Sequence, residues 1–135
     1  MYIIKNIEIL NTYKFVIDAT LPSLNEYILN CRTSKKEGAK FKRTWDDIVS
    51  IFILQYLKNI KISNPVSISY KWYEKNKKRD KDNISSFGRK CIQDALVKTN
   101  VLQNDGWSCI VSFQDEFFID EKHPRVEVTI YEYKN

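Results

Sequence analysis

Alternating apolar and polar residues predict strands near both ends of the chain and one in its middle. The pattern suits strands with one buried face, and Ile, Val and aromatic residues favour that conformation. Asn11-Thr12 separates the first two segments and is interpreted as a hairpin turn, and Asp120–Pro124 is the turn between the last two. The predicted strands are Ile3–Leu10, Lys14–Leu21, Val66–Tyr73, Trp107–Phe118 and Arg125–Tyr133.

A helical period of apolar residues predicts three helices. Ser23 is an N-cap candidate for a short helix through Ile28. The polar segment Thr33–Lys40 is interpreted as a loop before a long helix, Arg43–Leu57, and the third helix is Asn83–Val97. The expected core residues of the long helix are Trp45, Ile48, Ile51, Phe52 and Tyr56. Those of the third helix are Ile84, Phe87, Gly88, Cys91 and Ala95.

A chain of 135 residues with three Gly and three Pro is long enough for one core and poor in linker composition. We therefore predict a single compact domain over residues 1–135, with a mixed β-sheet and helices packed against it. The class is α+β, the element order is ββααβαββ, and most strands are expected to be linked by hairpins. The apolar start Met1–Ile4 is too short for a leader or a membrane span, so no membrane partner is expected.

The net charge of +5 and a pI near 9.0 favour acidic partners, nucleic acid first among them. His123 is the one histidine, which leaves little room for histidine-based catalysis and none for a histidine-rich metal site. Cys31, Cys91 and Cys109 form no CxxC pair and are predicted to be buried thiols of a reducing cytoplasm. Carboxylates and lysines therefore remain as the groups that can carry chemistry.

Three aspartates have the spacing of a metal site. Asp80 and Asp82 are two residues apart at a strand end, so both side chains can point the same way. Asp105, in an Asn-Asp-Gly turn, follows one helix and one turn later, which can return it to the pair. Converging carboxylates suit Mg²⁺ or Mn²⁺. Two ordinary alternatives are a helix N-cap and a solvated charged turn.

A positive group is also needed where charge develops on a phosphate. Lys90 is the candidate, since it lies on the helical strip that begins beside Asp82. Asp94, at the far end of that strip, is interpreted as a surface or capping partner. The strip comprises Asn83, Ser86, Lys90 and Asp94.

Several motifs occur in order along the chain: Asp80-x-Asp82-Asn83, a lysine on the next helix, Asp94-Ala95-Leu96 and Asn104-Asp105. Together they resemble the RusA family of Holliday-junction resolvases. Leu21–Asn25 also looks like that family's early turn and helix entry, and Pro124–Val128 is similar to its closing strand. The resemblance implies a homodimeric, Mg²⁺-dependent endodeoxyribonuclease of DNA recombination and repair, which cuts four-way junctions by paired symmetric nicks.

The resemblance assigns the family's metal-binding aspartates to Asp80, Asp82 and Asp105 and its catalytic lysine to Lys90. The family's short form has that lysine where Ser86 stands here, so the assignment depends on where one extra helical turn is placed, and Arg89 competes for it. The family's late acidic site is often a double aspartate and here is Asn104-Asp105.

Two basic stretches are candidates for contacts to DNA phosphates. The second, near the aspartate pair, comprises Lys75, Lys77, Lys78, Arg79 and Lys81, with Arg89 added from the helix. The first comprises Arg32, Lys35, Lys36, Lys40, Lys42 and Arg43. Because a four-way junction has near two-fold symmetry, a C2 dimer is expected to supply the two matched cuts.

Aromatic residues near the strand ends are candidates for stacking on opened bases or, alternatively, for the core: Trp72, Tyr73, Phe117 and Phe118. Competing functions are a metal-dependent nuclease for flaps or forks and a non-catalytic basic DNA-binding module. An RNA-binding domain is disfavoured because no aromatic RNP-type motif is present. The Lys- and Ile-rich composition suggests a bacterial or phage protein of the cytoplasm, associated with the nucleoid.

Overall fold

The computed structural model describes residues 8–134. Its helices and strands follow one another as one strand, two helices, one strand, one helix and two strands. They are β1 (Ile9–Ile17), α1 (Leu24–Thr33), α2 (Lys35–Leu57), β2 (Val66–Glu74), α3 (Lys81–Lys98), β3 (Ile110–Ile119) and β4 (Arg125–Tyr133). No helix of this described part is long and apolar enough to cross a membrane.

The four strands form one mixed sheet in the order β1-β4-β2-β3. β4 pairs antiparallel with both β1 and β2, whereas β2 and β3 are parallel and are joined by the α3 crossover. The α+β class with a mixed sheet is therefore confirmed. The expected hairpin links are wrong, because β4 skips β3 and inserts between β1 and β2. Its inner residues Val126, Val128 and Ile130 are buried, which suits a central strand.

The N-terminal hairpin of the sequence prediction is not formed as expected. Asn11 and Thr12 lie inside β1, which pairs with β4 along its length. Asn11 donates a side-chain hydrogen bond of 3.0 Å to Glu132, so its amide stabilises strand pairing and makes no turn. The predicted strand Ile3–Leu10 lies mostly outside the described residues. From the helices onward, the order ααβαββ is confirmed.

All three helices cover one face of the sheet, because they contact one another and share a single core with alternate sheet residues. Phe15, Ile68 and Trp72 are among the sheet residues in that core. The opposite face carries the intervening side chains of each strand, such as Ser67 and Tyr131.

The segment predicted as the Thr33–Lys40 loop is helical. Ser34 is the N-cap of α2 and accepts a hydrogen bond from the Glu37 backbone at 3.0 Å. Gly38, a loop signal in sequence, instead permits close helix contact: a Cβ there would lie 2.6 Å from Sγ of Cys31. The α1–α2 break is thus a single extended residue. Cys31 is exposed, against expectation, whereas Cys91 is buried.

The core stripe of α2 is displaced from the predicted one. The buried side chains are Val49, Ile53 and Leu57, while Ile51 and Tyr56 are exposed. The two stripes differ by about one residue of helical phase, which puts Ile51 and Tyr56 on the outer face. The inner stripe is completed by the half-buried Phe41, Trp45 and Phe52.

Helix α3 confirms its predicted core face. Each of Ile84, Phe87, Gly88, Cys91 and Ala95 is buried. A Cβ on Gly88 would lie 2.9 Å from the Trp72 ring, so the glycine lets α3 lie directly on β2. Ser23 also caps α1 as predicted, in a capping box with Glu26.

Candidate functional site

Asp80 and Asp82 lie at the beginning of α3, just beyond the end of β2. Asp80 occupies the N-cap position, but its side chain makes no capping hydrogen bond. Asp82 lies in the first turn and accepts a hydrogen bond from Ser86 Oγ at 2.9 Å. Both aspartates are exposed. The Asp80 side chain therefore does not cap the helix, and its carboxylate is open to solvent.

The loop that carries this pair is fixed by Arg79. Its Nε donates to Glu74 Oε1 at 2.8 Å, and one Nη donates to the Leu21 carbonyl at 3.0 Å. At the third residue of α3, the Asn83 side chain accepts from the Asn25 backbone N–H at 2.9 Å. The start of α1, the end of β2 and the start of α3 are thus tied together beneath the two carboxylates.

Arg89, predicted as a DNA contact and as the alternative catalytic cation, faces the sheet. Its Nη1 donates to Asp115 Oδ2 at 2.5 Å, and its guanidinium lies 4.7 Å from the centre of the Phe113 ring. Asp115 also accepts from Trp72 Nε1 at 2.8 Å. This network connects α3 to β2 and β3, so Arg89 has a structural role in the subunit.

Lys90 is exposed on the predicted strip of α3. It lies eight residues beyond Asp82, which is about 12 Å along a helix. Its Nζ contacts Asp94 at 3.1 Å, and Lys42 of α2 contacts the other oxygen of Asp94 at 2.7 Å. Asp94 is therefore an ion-pair partner, as its surface interpretation allowed. Burial raises the pKa of Asp94, but hydrogen bonds from the two lysines outweigh burial and hold that pKa below its ordinary value.

Asp105 lies in the turn before β3, and the predicted turn is confirmed. Asn104 Oδ1 accepts from the Gly106 N–H at 2.8 Å, and the Cys109 N–H donates to the Gly106 carbonyl at 3.1 Å. Asp105 is exposed. Trp107, two residues later, is 97% exposed. The sequence predicts it as the first residue of the strand, which is wrong, because β3 begins at Ile110. The preceding Asp-Gly turn signal was the indication that the strand begins later.

The fold does not bring Asp105 to the aspartate pair within one subunit. Helix α3 has 18 residues, about 27 Å of length, and separates Asp82 in its first turn from the loop after its last turn. The loop after α3 leads to Cys109, whose carbonyl accepts a hydrogen bond from the Val66 N–H at the start of β2. Asp80 instead follows the end of β2. The expected return of Asp105 within the chain is therefore wrong. Across residues 8–134 no three acidic, histidine or cysteine side chains are grouped to hold a metal.

The aspartates nevertheless divide sharply by their partners. Six of them bind a Lys, Arg or His side chain: Asp18, Asp46, Asp47, Asp94, Asp115 and Asp120. Within the described chain, the remaining three have no such cation, and they are Asp80, Asp82 and Asp105. The residues selected by sequence spacing are thus the aspartates that have no cation partner among residues 8–134.

The basic residues around the pair are divided too. Lys75, Lys77 and Lys78 are exposed, and no acidic side chain in the described chain pairs with them. Lys81 Nζ lies 5.9 Å from the centre of the Phe117 ring. Arg79 is held by the loop. Of the first basic stretch, Lys42 is half-buried between Asp46 and Asp94, and the other members are exposed: Arg32, Lys35, Lys36, Lys40 and Arg43.

The aromatic residues proposed for stacking are mostly engaged. Trp72 is 2% exposed and belongs to the core. Tyr73 stacks on Phe118 with ring centres 4.9 Å apart, and the Arg125 guanidinium lies 3.8 Å from the centre of the Tyr73 ring. Phe117 packs partly buried against the core. The freely exposed aromatic side chain beside a candidate ligand is Trp107.

Exposed lysines without an acidic partner in the described chain, next to carboxylates without a cation, favour a polyanion as the partner of this surface. The chain belongs to the RusA endodeoxyribonuclease family, whose model, Endodeoxyribonuclease RusA, matches residues 22–131. The match covers α1 through most of β4 and includes both the aspartate pair and the Asp105 turn. No curated protein matches the chain. Family membership therefore identifies the polyanion as DNA and the chemistry as phosphodiester hydrolysis.

Proposed function

We propose that the protein is a Mg²⁺-dependent endodeoxyribonuclease that resolves Holliday junctions by paired symmetric nicks, in DNA recombination and repair. The observation that carries this proposal is the set of three aspartates without a cation partner. Carboxylate oxygens are the ligands that Mg²⁺ and Mn²⁺ prefer, and an exposed carboxylate without a cation partner in the subunit is available to such an ion.

The separation of the aspartates supports a homodimer with composite sites. A two-fold axis perpendicular to α3 near its middle sets the helix antiparallel to that of a second copy. Asp105 of one subunit then lies beside Asp80 and Asp82 of the other, and the same operation creates a second identical site. Two sites related by a two-fold axis match the symmetry of a four-way junction and supply two matched cuts.

In such a site, Asp80 and Asp82 of one subunit and Asp105 of the other would hold the cation. When bound, the divalent ion supplies positive charge that stabilises the attacking and leaving oxygens of the phosphodiester. The Arg79 contacts and the Asn83–Asn25 hydrogen bond hold the aspartate pair on a rigid loop, which limits reorganisation during the reaction. Lys90, about 12 Å along the same helix from Asp82, is proposed to leave Asp94 and extend its side chain to donate to the phosphate on which charge develops.

Lysines that lack an acidic partner are proposed to bind the DNA backbone. Lys75, Lys77 and Lys78 follow β2 immediately before the aspartate pair. Their charges attract phosphates into a site whose carboxylates otherwise repel them. Arg79 and Arg89 contribute to this surface only indirectly, because both guanidinium groups are bound to carboxylates of the subunit.

The test is cleavage of a labelled immobile four-way junction, a fork and a plain duplex, in Mg²⁺ and in chelator. Asp80→Asn, Asp82→Asn and Asp105→Asn each abolish cutting but leave junction binding equal or tighter, because repulsion of phosphate falls. Asp47→Asn is the matched control, since Asp47 is an exposed aspartate paired with Lys98. Cutting of the fork alone moves the proposal to another branched substrate, and binding without cutting by the wild type contradicts catalysis.

A further inference from the structure

Trp107 is the most exposed large apolar side chain in the described part of the protein, at 97%. Its loop is held by the Asn104–Gly106 and Gly106–Cys109 hydrogen bonds. The indole is therefore presented to solvent from a fixed backbone, two residues from Asp105. Exposed indole carries a large cost of apolar hydration, which a stacking partner removes.

A wide groove, about 1120 Å³ in volume, adjoins this loop. Among its lining residues in the described chain, Asp105 is the one with a charge. The others include apolar side chains, such as Ile9, Ile110, Val111 and Phe113, together with side chains that donate and accept hydrogen bonds: Ser67, Ser69, Gln93, Gln114, Tyr131 and Tyr133. This lining differs from the lysine-rich end of α3, which suits phosphates.

We infer that this groove binds an unpaired nucleobase of branched DNA and that Trp107 stacks on it. The inference rests on the proposed function, in which Asp105 faces the phosphate to be cut. Apart from Asp105 the described surface carries no charge: its apolar and aromatic side chains match the flat faces of bases, and its hydroxyls and amides match their hydrogen-bonding edges. Trp107 is thus a positioning residue, which holds open the base step beside the nick and favours junctions over duplex.

The first measurement uses junctions with 2-aminopurine at the crossover, bound in Ca²⁺ in place of Mg²⁺. The probe stands next to the base that the groove takes up and not in its place, so wild type and Trp107→Phe raise its fluorescence as it loses that stacking neighbour, and Trp107→Ala does not. Junction cleavage in Mg²⁺ by Trp107→Ala falls roughly 10- to 100-fold, the range of one lost base stack. Tyr56→Ala, which removes another exposed aromatic ring on α2, changes neither quantity.

A second substrate separates base opening from other defects. A junction with mismatched bases at the crossover is already open, so it restores cutting by Trp107→Ala to near wild-type rates. A lost metal site or a lost dimer is not restored in this way. Trp107→Ala that cuts the paired junction at the wild-type rate overturns the inference, as does dissociation of this variant to monomers in sedimentation, which assigns Trp107 to contact between copies.

A different set of results is expected if the proposed function is wrong. In that case the wild type cuts no branched DNA, yet the groove is still tested by titration with oligothymidylate. Quenching of the exposed indole that is lost in Trp107→Ala supports base binding alone, and an unchanged spectrum of the wild type overturns it.

Discussion

Asp82 and Asp105 lie beyond opposite ends of one helix, and that helix fixes their separation. Asp82 occupies the first turn of α3 and Asp105 follows its last turn, so a rigid element of 18 residues holds them about 25 Å apart. Rotation of side chains cannot bridge this distance. Cooperation between the two carboxylates therefore requires two copies of the chain, so the proposed metal site predicts that metal binding depends on dimerisation.

Mixed dimers test this directly. Asp82→Asn and Asp105→Asn proteins are each inactive, but a dimer of one with the other regains one complete site, because each subunit supplies what its partner lacks. With equal amounts, half the dimers are mixed and each has one site, so roughly a quarter of wild-type nicking returns. The measurement is single nicking of a junction after co-refolding of the two variants.

A mixture of Asp80→Asn and Asp82→Asn is the control, since both changes fall on the same side of the composite site and no complete site forms. Recovery in this control, or none in the first mixture, contradicts the composite arrangement.

Arg79 and Lys77 are neighbours in sequence with opposite predicted phenotypes. Arg79→Ala removes the partner of Glu74, which is 8% exposed, and costs about 2–3 kcal/mol of unfolding free energy. Lys77→Ala changes that free energy by less than about 0.5 kcal/mol. It weakens junction binding and lowers the salt slope by about one. Urea unfolding and binding at two salt concentrations distinguish the two. A stable Arg79→Ala protein with lost binding would assign Arg79 to DNA instead.

Local patterns in the sequence predict much of this fold and fail where contacts between distant segments decide. The alternation in β2 and β4 and the period of α3 are set by one buried face each, so both are readable along the chain. The loop predicted around Gly38 is wrong because the packing partner of this glycine, Cys31, lies on another helix. The position of β4 between β1 and β2 likewise depends on three strands at once.

The candidate site shows the same division. Spacing and resemblance predict Asp80 and Asp82 as one pair, since both lie in one local segment. The ion pairs of Arg79 with Glu74 and of Arg89 with Asp115 were not predictable, because only the folded sheet brings these side chains together. The separation of Asp105 follows from the direction of α3 relative to β2. Sequence spacing alone cannot show whether a residue that follows a helix lies near the start of that helix or beyond its far end.

Lys90 and Arg89 are the two candidates for the proposed catalytic cation, and their substitutions are expected to differ in their effect on protein stability. Lys90→Ala removes an exposed ion pair and alters unfolding free energy by less than about 0.5 kcal/mol, yet lowers junction cleavage about 100-fold. Arg89→Ala breaks the contact with Asp115 and costs about 2 kcal/mol. Single-turnover cleavage beside thermal unfolding gives both quantities. Full activity in Lys90→Ala would remove that lysine from the mechanism.

Lys42 links α2 to α3, and its contribution depends on pH in a defined direction. Lys42 Nζ lies 2.7 Å from both Asp46 and Asp94, and the pKa of Asp94 is held below its ordinary value because the lysine hydrogen bonds outweigh the effect of burial. A carboxyl whose pKa is depressed by folding stabilises the native state above its unfolded pKa, near 3.9. That stability is lost as pH falls through the folded value.

Lys42→Met therefore costs about 2 kcal/mol near pH 7, because two partly buried carboxylates lose their shared cation. The cost shrinks below about pH 4, where protonated Asp94 no longer gains from the lysine in the wild type. Urea unfolding of both proteins from pH 3 to pH 8, in steps of about one unit, measures this difference. Lys98→Met, which removes an exposed pair with Asp47, is the control and costs less than about 0.5 kcal/mol throughout. A Lys42→Met penalty that does not change with pH would mean that packing of the lysine stem, and not its charge, joins the two helices.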